Sequence, residues 1–436
     1  MIRRYFGAAL AAVVVLSGMA SAGQTVSVND SPGLRRALRD AGPGTRIMLA
    51  AGEYRGGVTI NGVSGTKDAP VVIAGPDMRH PAVFKGGGGV GLHLVDCSHV
   101  TLRNIRVSGY PGNGINADDG GTYDTPARGL RFENLVIERT GPKGNHDGLK
   151  VSGVDEFLVR GCTFAGWGGS AIDMVGCHDG TVDRCAFIGL DGFSQANAIQ
   201  TKGGSARILV HRSFFRNAGQ RAINLGGSTG EPYFRPRGAN YEATDIEIAG
   251  NRFVGSPAPV AWATAKGGRV HHNTIYMPEK WVLRILQEKT ADRYVRCREG
   301  VFEHNLVVFD RRVRVFVNIG PHTKPETFTF RHNAWFQADG SRKPRLPAPE
   351  QNGIYGIDPK LKQPGTPKMT IESDDPRLQG IGADAYRPKE ESKPHKSHDG
   401  AFGRSQSLSS NNTFFASIRP AFWGRIHQSV TPGFWG

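Results

Sequence analysis

The stretch GLKVSGVDEFLVRGCTFAGWGGSAIDMVGCHDGTVDRCAF (148–187) decides the fold. It holds two copies of one nine-residue phrase, EFLVRGCTF (156–164) and DGTVDRCAF (179–187), each a short β-prone run that closes around a cysteine. A second phrase of alternating apolar residues, GLKV (148–151) and AIDM (171–174), sits beside each copy. Working outward, the longer phrase returns as HVTLRNIRV (99–107), GLRFENLVI (129–137), RILVHRSFF (207–215), DIEIAGNRF (245–253), GRVHHNTIY (268–276), GVFEHNLVV (300–308) and FTFRHNAWF (328–336). Aligned, these phrases put Asn104, Asn134, Cys162, Cys185, Ser213, Asn251, Asn273, Asn305 and Asn333 in one column, 22 to 38 residues apart. The shorter phrase returns as GLHL (91–94), GINA (114–117), AIQT (198–201) and AINL (222–225).

Repeats of this period build a solenoid, because each unit can bury its apolar face only against its neighbours. Period-two strands, Gly-rich corners and no helical periodicity between them predict an all-β fold, a right-handed parallel β-helix. Equivalent side chains on successive turns then lie ~4.8 Å apart, a spacing at which amides stack and hydrogen-bond. The Asn column is therefore read as structure. Cys162 and Cys185 are read as packing residues of adjacent turns, with a disulfide between them left open. Five cysteines are too few, and odd in number, for disulfides to be the main scaffold. His271, His272, His304 and His332 flank the column and are read as corner residues rather than metal ligands.

Residues 1–22 have a basic start, an apolar middle and Ala20-Ser21-Ala22, the pattern of a secretory signal cleaved after Ala22. The expected location is secreted or periplasmic, with no transmembrane segment after signal cleavage. Residues 23–88 form an N-terminal cap and first turns. There Ser31 is expected as N-cap and Pro32 at the first helical position of a short helix that plugs the first turn. Residues 89–336 are the coil body, with insertions at about 226–244 and 286–299 of the kind that carry binding function. Residues 337–387 are expected as a C-terminal cap, and 388–436 as a basic low-complexity tail, disordered or loosely attached.

Lys and Arg outnumber Asp and Glu by 54 to 39, a formal charge of +15. An exported cation of this size suits an acidic partner such as a uronate-bearing polysaccharide. No helix-turn-helix, zinc finger or aromatic RNA-binding signature accompanies the charge, so nucleic acid is not expected, and the chain is expected as a monomer.

The opening helix, PGT (43–45), GEYRGG (52–57) and GTKDAPVVIAG (65–75) resemble the start of secreted β-helix polysaccharide lyases. The likeness is to family six, the alginate and chondroitin lyase group, and to the wider pectate-lyase-like superfamily. QTKGGS (200–205), AGQRAINLGGSTG (218–230) and RILQE (284–288) are similar to a group of bacterial right-handed β-helix repeat proteins. The resemblance implies β-elimination, in which a Lys or Arg removes the proton beside a uronate carboxylate while calcium or another cation makes that proton acidic. Lys150 falls where family-six lyases carry their lysine. The family's following Arg-His-Gly phrase is replaced here by AIDM with Asp173.

The outward positions of the short phrases read His93, Asn116, Lys150, Asp173, Gln200 and Asn224, with Arg284 two turns on. Stacking would gather them in one groove. Lys150, Arg221 and Lys202 are the candidate catalytic cations. Asn116, Gln200, Asn224, Arg284 and Glu288 are candidate substrate-binding groups, and Asp147 and Asp173 are candidate ligands for Ca2+. The plain alternatives are a surface charge ladder around Lys150 and an ion pair of Arg221 or Arg284 with Glu288. Trp167, Trp262 and Trp281 are read as core. Two other functions stay open on this fold. One is a glycoside hydrolase using two of Asp118, Asp119, Asp147 and Asp173; the other is a noncatalytic glycan-binding or cell-envelope protein.

Overall fold

Each turn of the chain lays down three short strands, and successive turns stack them into three parallel sheets. The computed structural model describes residues 23–122 and 124–388; the signal-like residues 1–22 and the tail from 389 lie outside the described residues. Among the described residues the sheets hold 16, 12 and 10 strands, here called the first, second and third sheet in the order a turn visits them. Every pairing between successive turns is parallel, as at Leu149–Ser152 on Ser170–Val175 in the third sheet. The architecture is the right-handed parallel β-helix that the repeat predicts.

The interior is a set of side-chain columns, because in-register stacking puts like residues ~4.8 Å apart. Phe164, Phe187, Phe215 and Phe253 from four consecutive turns stack face to face, with ring centroids 5.1, 4.6 and 4.7 Å apart. Asn251, Asn273, Asn305 and Asn333 form a buried ladder. Each side-chain amide donates to the next Oδ1 at 3.0 Å, and that oxygen also accepts the preceding residue's backbone N–H. Glu350 ends the ladder by accepting both the backbone and side-chain N–H of Asn333.

Asn104 and Asn134 do not belong to this ladder. Arg103 pairs with Glu133, and Glu133 with Arg160, so Asn104 and Asn134 align with Gly161, one place before Cys162. That place is a corner in the left-handed region (φ 55° at Asn104, 52° at Asn134 and 66° at Gly161), where asparagine and glycine are the least strained residues. His272, His304 and His332 occupy the same corner further along, their rings stacked with centroids 4.9 Å apart. All five cysteines are buried free thiols. Cys162 and Cys185 donate to backbone carbonyls of Phe132 and Val159 and pack as adjacent rungs of the core, with no disulfide between them.

The helix Ser31–Arg39 sits across the open end, with Leu34 and Leu38 buried in the continuous core. Its N-cap is Asp30, not Ser31: the Asp30 carboxylate accepts the Gly33 N–H at 2.6 Å, while Ser31 Oγ turns away to the Arg55 carbonyl. At the other end the expected cap divides. Glu350 closes the last rung, whereas residues 376–387 double back along the second sheet. Leu378 and Ile381 pack on Leu306 and Val308, Asp384 pairs with Arg252, and Tyr386 meets His211 and His271.

Both insertions leave the third sheet at the same edge and pack together. Phe234 of the first meets Tyr294 of the second at 5.7 Å, and Lys289 Nζ donates to the Thr229 carbonyl. Arg235 clamps the first insertion to an earlier corner with a two-pronged contact to Asp155, both at 2.8 Å.

Candidate functional site

The outer face of the third sheet carries polar columns over an apolar interior. In its strands the inward pairs are apolar, such as Leu149 with Val151 and Ile223 with Leu225, so the residue between them must face out. Strand register places His93, Asn116, Lys150, Asp173, Gln200, Asn224, Ala261, Arg284 and Asn318 side by side. The column expected from the short phrases is therefore continuous, and Arg284 stands two turns beyond Asn224.

A second column runs along the edge where the chain enters the sheet. Asn113, Asp147, Ser170, Asn197 and Arg221 each precede a central residue by three; Ser170, Asn197 and Arg221 lie in register, Asn113 Oδ1 accepts the Asp147 N–H and Asp147 Oδ1 accepts the Ser170 N–H. Asn113 donates to Asn116 at 2.8 Å and Asn197 to Gln200 at 3.4 Å. Trp281 holds the corresponding place before Arg284. Asn113, Asn197 and Trp281 were missed as site residues, although the recurring spacing of three was present in the sequence. Trp167 and Trp262 are fully buried as expected, but Trp281 is only half-buried.

Where the columns meet, four charged groups converge. Lys150 Nζ lies 3.3 Å from Asp173 Oδ2 and 3.6 Å from Asp147 Oδ2, and Lys202 Nζ lies 3.0 Å from Asp173 Oδ1. Both carboxylates are wholly buried, while the Lys150 and Lys202 side chains keep 29% and 14% of their exposure. Only the ammonium groups can touch a ligand; the aspartates hold them in place. Lys202 also donates to Gln200 at 3.3 Å.

Burial pushes the Asp147 carboxyl up to about 6, reinforced by the neighbouring Asp173 and partly opposed by Lys150 and the Ser170 N–H. Burial by itself would lower the Lys150 pKa, but Asp173 and Asp147 outweigh it and the ammonium is held more firmly than usual. Asp147 Oδ2, Asn197 Oδ1 and Asn224 Oδ1 are buried acceptors with no hydrogen-bond donor among the described residues.

The cations at the far end of the face divide. Arg221 sits at the strand end remote from Lys202 and pairs with Glu288 at 2.7 Å, the alternative that the sequence left open. Arg284 instead lies 4.7 Å from the Trp281 ring and donates through Nε to Asn318. Burial, then the charge of Arg221, lowers its pKa.

Calcium fits this constellation poorly. The carboxylate oxygens that would ligate it are already turned to two ammonium groups and a backbone N–H, and no cluster of three or more His, Cys, Asp or Glu able to hold a metal occurs among the described residues. Asp118, proposed for hydrolysis, is held by His93 at 2.6 Å.

Residues 90–275 match the family described as right handed beta helix region. No curated protein matches the sequence. Among solved structures, the chain is similar to the A-module of the Azotobacter vinelandii mannuronan C-5 epimerase AlgE4. The identity is 14% and the TM-score 0.50, over 77% of this chain and 96% of that one. It is also similar to an alginate lyase from Paenibacillus sp. str. FPU-7 (18% identity, TM-score 0.44, covering 68% and 97%). A third similar structure is a mutant of the PL6 family alginate lyase AlyGC (13%, 0.45, covering 84% of this chain and 59% of that one). At such identities the likeness is one of fold, a right-handed parallel β-helix. No helix among the described residues is long and apolar enough to cross a membrane.

Proposed function

We propose that this β-helix acts outside the cytoplasm on an acidic, uronate-containing polysaccharide, which it binds along the outer face of the third sheet and cleaves by β-elimination. The observation that carries the reading is the pair of partly exposed ammonium groups, Lys150 and Lys202, set over two buried carboxylates in the middle of a polar column. Asn116 and Gln200, half-buried in that column, are the amide contacts for the sugar; Asn224, expected as a third, is wholly buried and supports the column from beneath.

In this scheme Lys150, firmly protonated between Asp147 and Asp173, neutralises the uronate carboxylate and makes the adjacent C5 proton acidic. Lys202 is the base that takes that proton. As the C5–H bond breaks, its electron pair forms the C4=C5 double bond, the C4–O bond breaks, and the departing oxygen takes a proton from solvent. Lys202 then returns its own proton to water. Asp173 touches both lysines and is a positioning residue.

One observation favours a second reading, binding without cleavage: each lysine is ion-paired with a buried carboxylate, and for Lys150 that pairing holds the ammonium more firmly than usual. Hydrolysis is disfavoured because Asp147 and Asp173 are wholly buried and cannot flank a glycosidic bond. The test is incubation with alginate, pectate, chondroitin and heparan-type polymers, following the ultraviolet absorbance of unsaturated uronate and the appearance of reducing ends. A rising absorbance that Lys202→Met abolishes supports elimination. New reducing ends without absorbance would replace it by hydrolysis, and saturable binding with neither signal would leave the binding reading.

A further inference from the structure

We infer that Arg284, laid against Trp281, is a second and separate carboxylate-binding subsite, so that the bound polysaccharide runs along the axis of the coil and must be long enough to reach both clusters. This inference rests on the acidic-polysaccharide reading above and adds to it the direction and minimum length of the ligand.

Three features single out Arg284. Its guanidinium is fixed on two sides, by the Trp281 ring 4.7 Å away and by the Asn318 carbonyl oxygen, which accepts from Nε at 2.9 Å. Its two terminal nitrogens make no hydrogen bond or ion pair among the described residues, unlike those of Arg221, which Glu288 neutralises. A planar fork already oriented, with its outer prongs uncommitted, matches the two oxygens of a carboxylate. Lys280, with its ammonium 4.4 Å from the same ring, adds a second positive charge at the rim.

The spacing supplies the length requirement. Lys202 shares the rung of Gln200, from which the central column passes Asn224 and Ala261 before it reaches Arg284, and Lys150 stands two rungs further away. Three strand spacings are ~14 Å and five are ~24 Å. Between the two clusters the central column holds only amides and an alanine, and the edge column holds Arg221, neutralised by Glu288, and Ala258. One uronate residue cannot touch both ends, whereas an extended chain with regularly spaced carboxylates can, and the second contact then forms intramolecularly.

The experiment is calorimetric binding of defined-length oligouronates, in the wild type and in Arg284→Ala, Arg284→Lys and Trp281→Leu. Binding is read directly, so cleavage is not required. In the wild type, affinity should step upward by about ten- to a hundred-fold once the oligomer spans both clusters, the size of a charge-assisted, two-pronged contact. Arg284→Ala should remove the step, and Arg284→Lys should restore only part of it because the fork is lost. Trp281→Leu should reduce the step while thermal melting shows the coil intact. A step of unchanged height in Arg284→Ala, or no step in the wild type, would overturn the second subsite while leaving the lysine cluster standing. Failure of the wild type to bind any oligomer would remove both readings.

Discussion

Replacing Asp147 by asparagine should shift the stability of the mutant relative to the wild type upward between pH 4 and pH 8. The carboxyl is raised from 3.8 to about 6 by burial and by Asp173. The native state therefore holds a proton that the unfolded chain releases between those two values, and stability falls as pH rises through that window. A shift of about two units corresponds to about 3 kcal/mol lost at pH 8, and less than about 1 kcal/mol at pH 4. Asparagine keeps the acceptor for the Ser170 N–H, which Asp147 Oδ1 now receives at 2.8 Å, and removes the charge. Its amide would face Lys150, a cost that changes little with pH. The informative quantity is therefore the change in the mutant-minus-wild-type difference, about 2 kcal/mol between pH 4 and pH 8. Urea unfolding at both pH values measures it. An equal difference at both, or a mutant relatively weaker at pH 8, would refute the reasoning and show that Lys150 stabilises an ionised Asp147. A gain would mark a carboxylate retained at a cost in stability, as functional sites often do.

Three further outcomes follow from the fold. Asn305→Ala strips the acceptor from the buried Asn273 N–H and the donor from the Val270 carbonyl, and should cost about 2–6 kcal/mol in urea unfolding. Asn134→Ala, at an exposed corner, should cost no more than about 1–2 kcal/mol, and equal costs would contradict the assignment of Asn134 to a different column. Arg235→Ala should free the first insertion and speed proteolysis within residues 227–242, with no acceleration if the Asp155 clamp is idle. Its bonds to Arg235 hold the Asp155 carboxyl well below the usual range against the opposing effect of burial, so the clamp should survive as pH falls through ordinary carboxylate titration. Burial pushes the Cys97 thiol up to about 11 and those of Cys177 and Cys297 up to about 12, so a thiol reagent at pH 8 should label none of the five until denaturant is added. Prompt labelling of the native protein would be inconsistent with that burial.

What the sequence made legible is what periodicity controls. A parallel coil repeats its register at every turn, so one alternating phrase such as GLKV fixes which residue faces out, and the chain of Asn116, Lys150, Asp173, Gln200 and Asn224 could be written down before any coordinates. The same logic failed at Asn104 and Asn134 because asparagine suits two adjacent places for different reasons: the ladder needs its amide, and the corner needs its tolerance of positive φ. Nor could Asp30 be told from Ser31, since either side chain can cap a helix and Pro32 is compatible with both.

The state of each site residue depends on partners that periodicity does not align. Glu288 reaches Arg221 across 67 residues because an insertion returns it to the edge it left, and no spacing rule says which of two arginines it will meet. That choice makes Arg221 a neutralised strut and leaves Arg284 available. Likewise Asp147 and Asp173 have the residue type of metal ligands, but their wholly buried oxygens face two lysines brought together by register. The face therefore presents cations outward and hides its acids, a polarity suited to a polyanion. An acidic chain laid along it would meet ammonium groups at the Lys150 and Lys202 rungs and a guanidinium four rungs from Asp173, with neutral rungs between, so charge spacing along the ligand becomes a basis for selecting it.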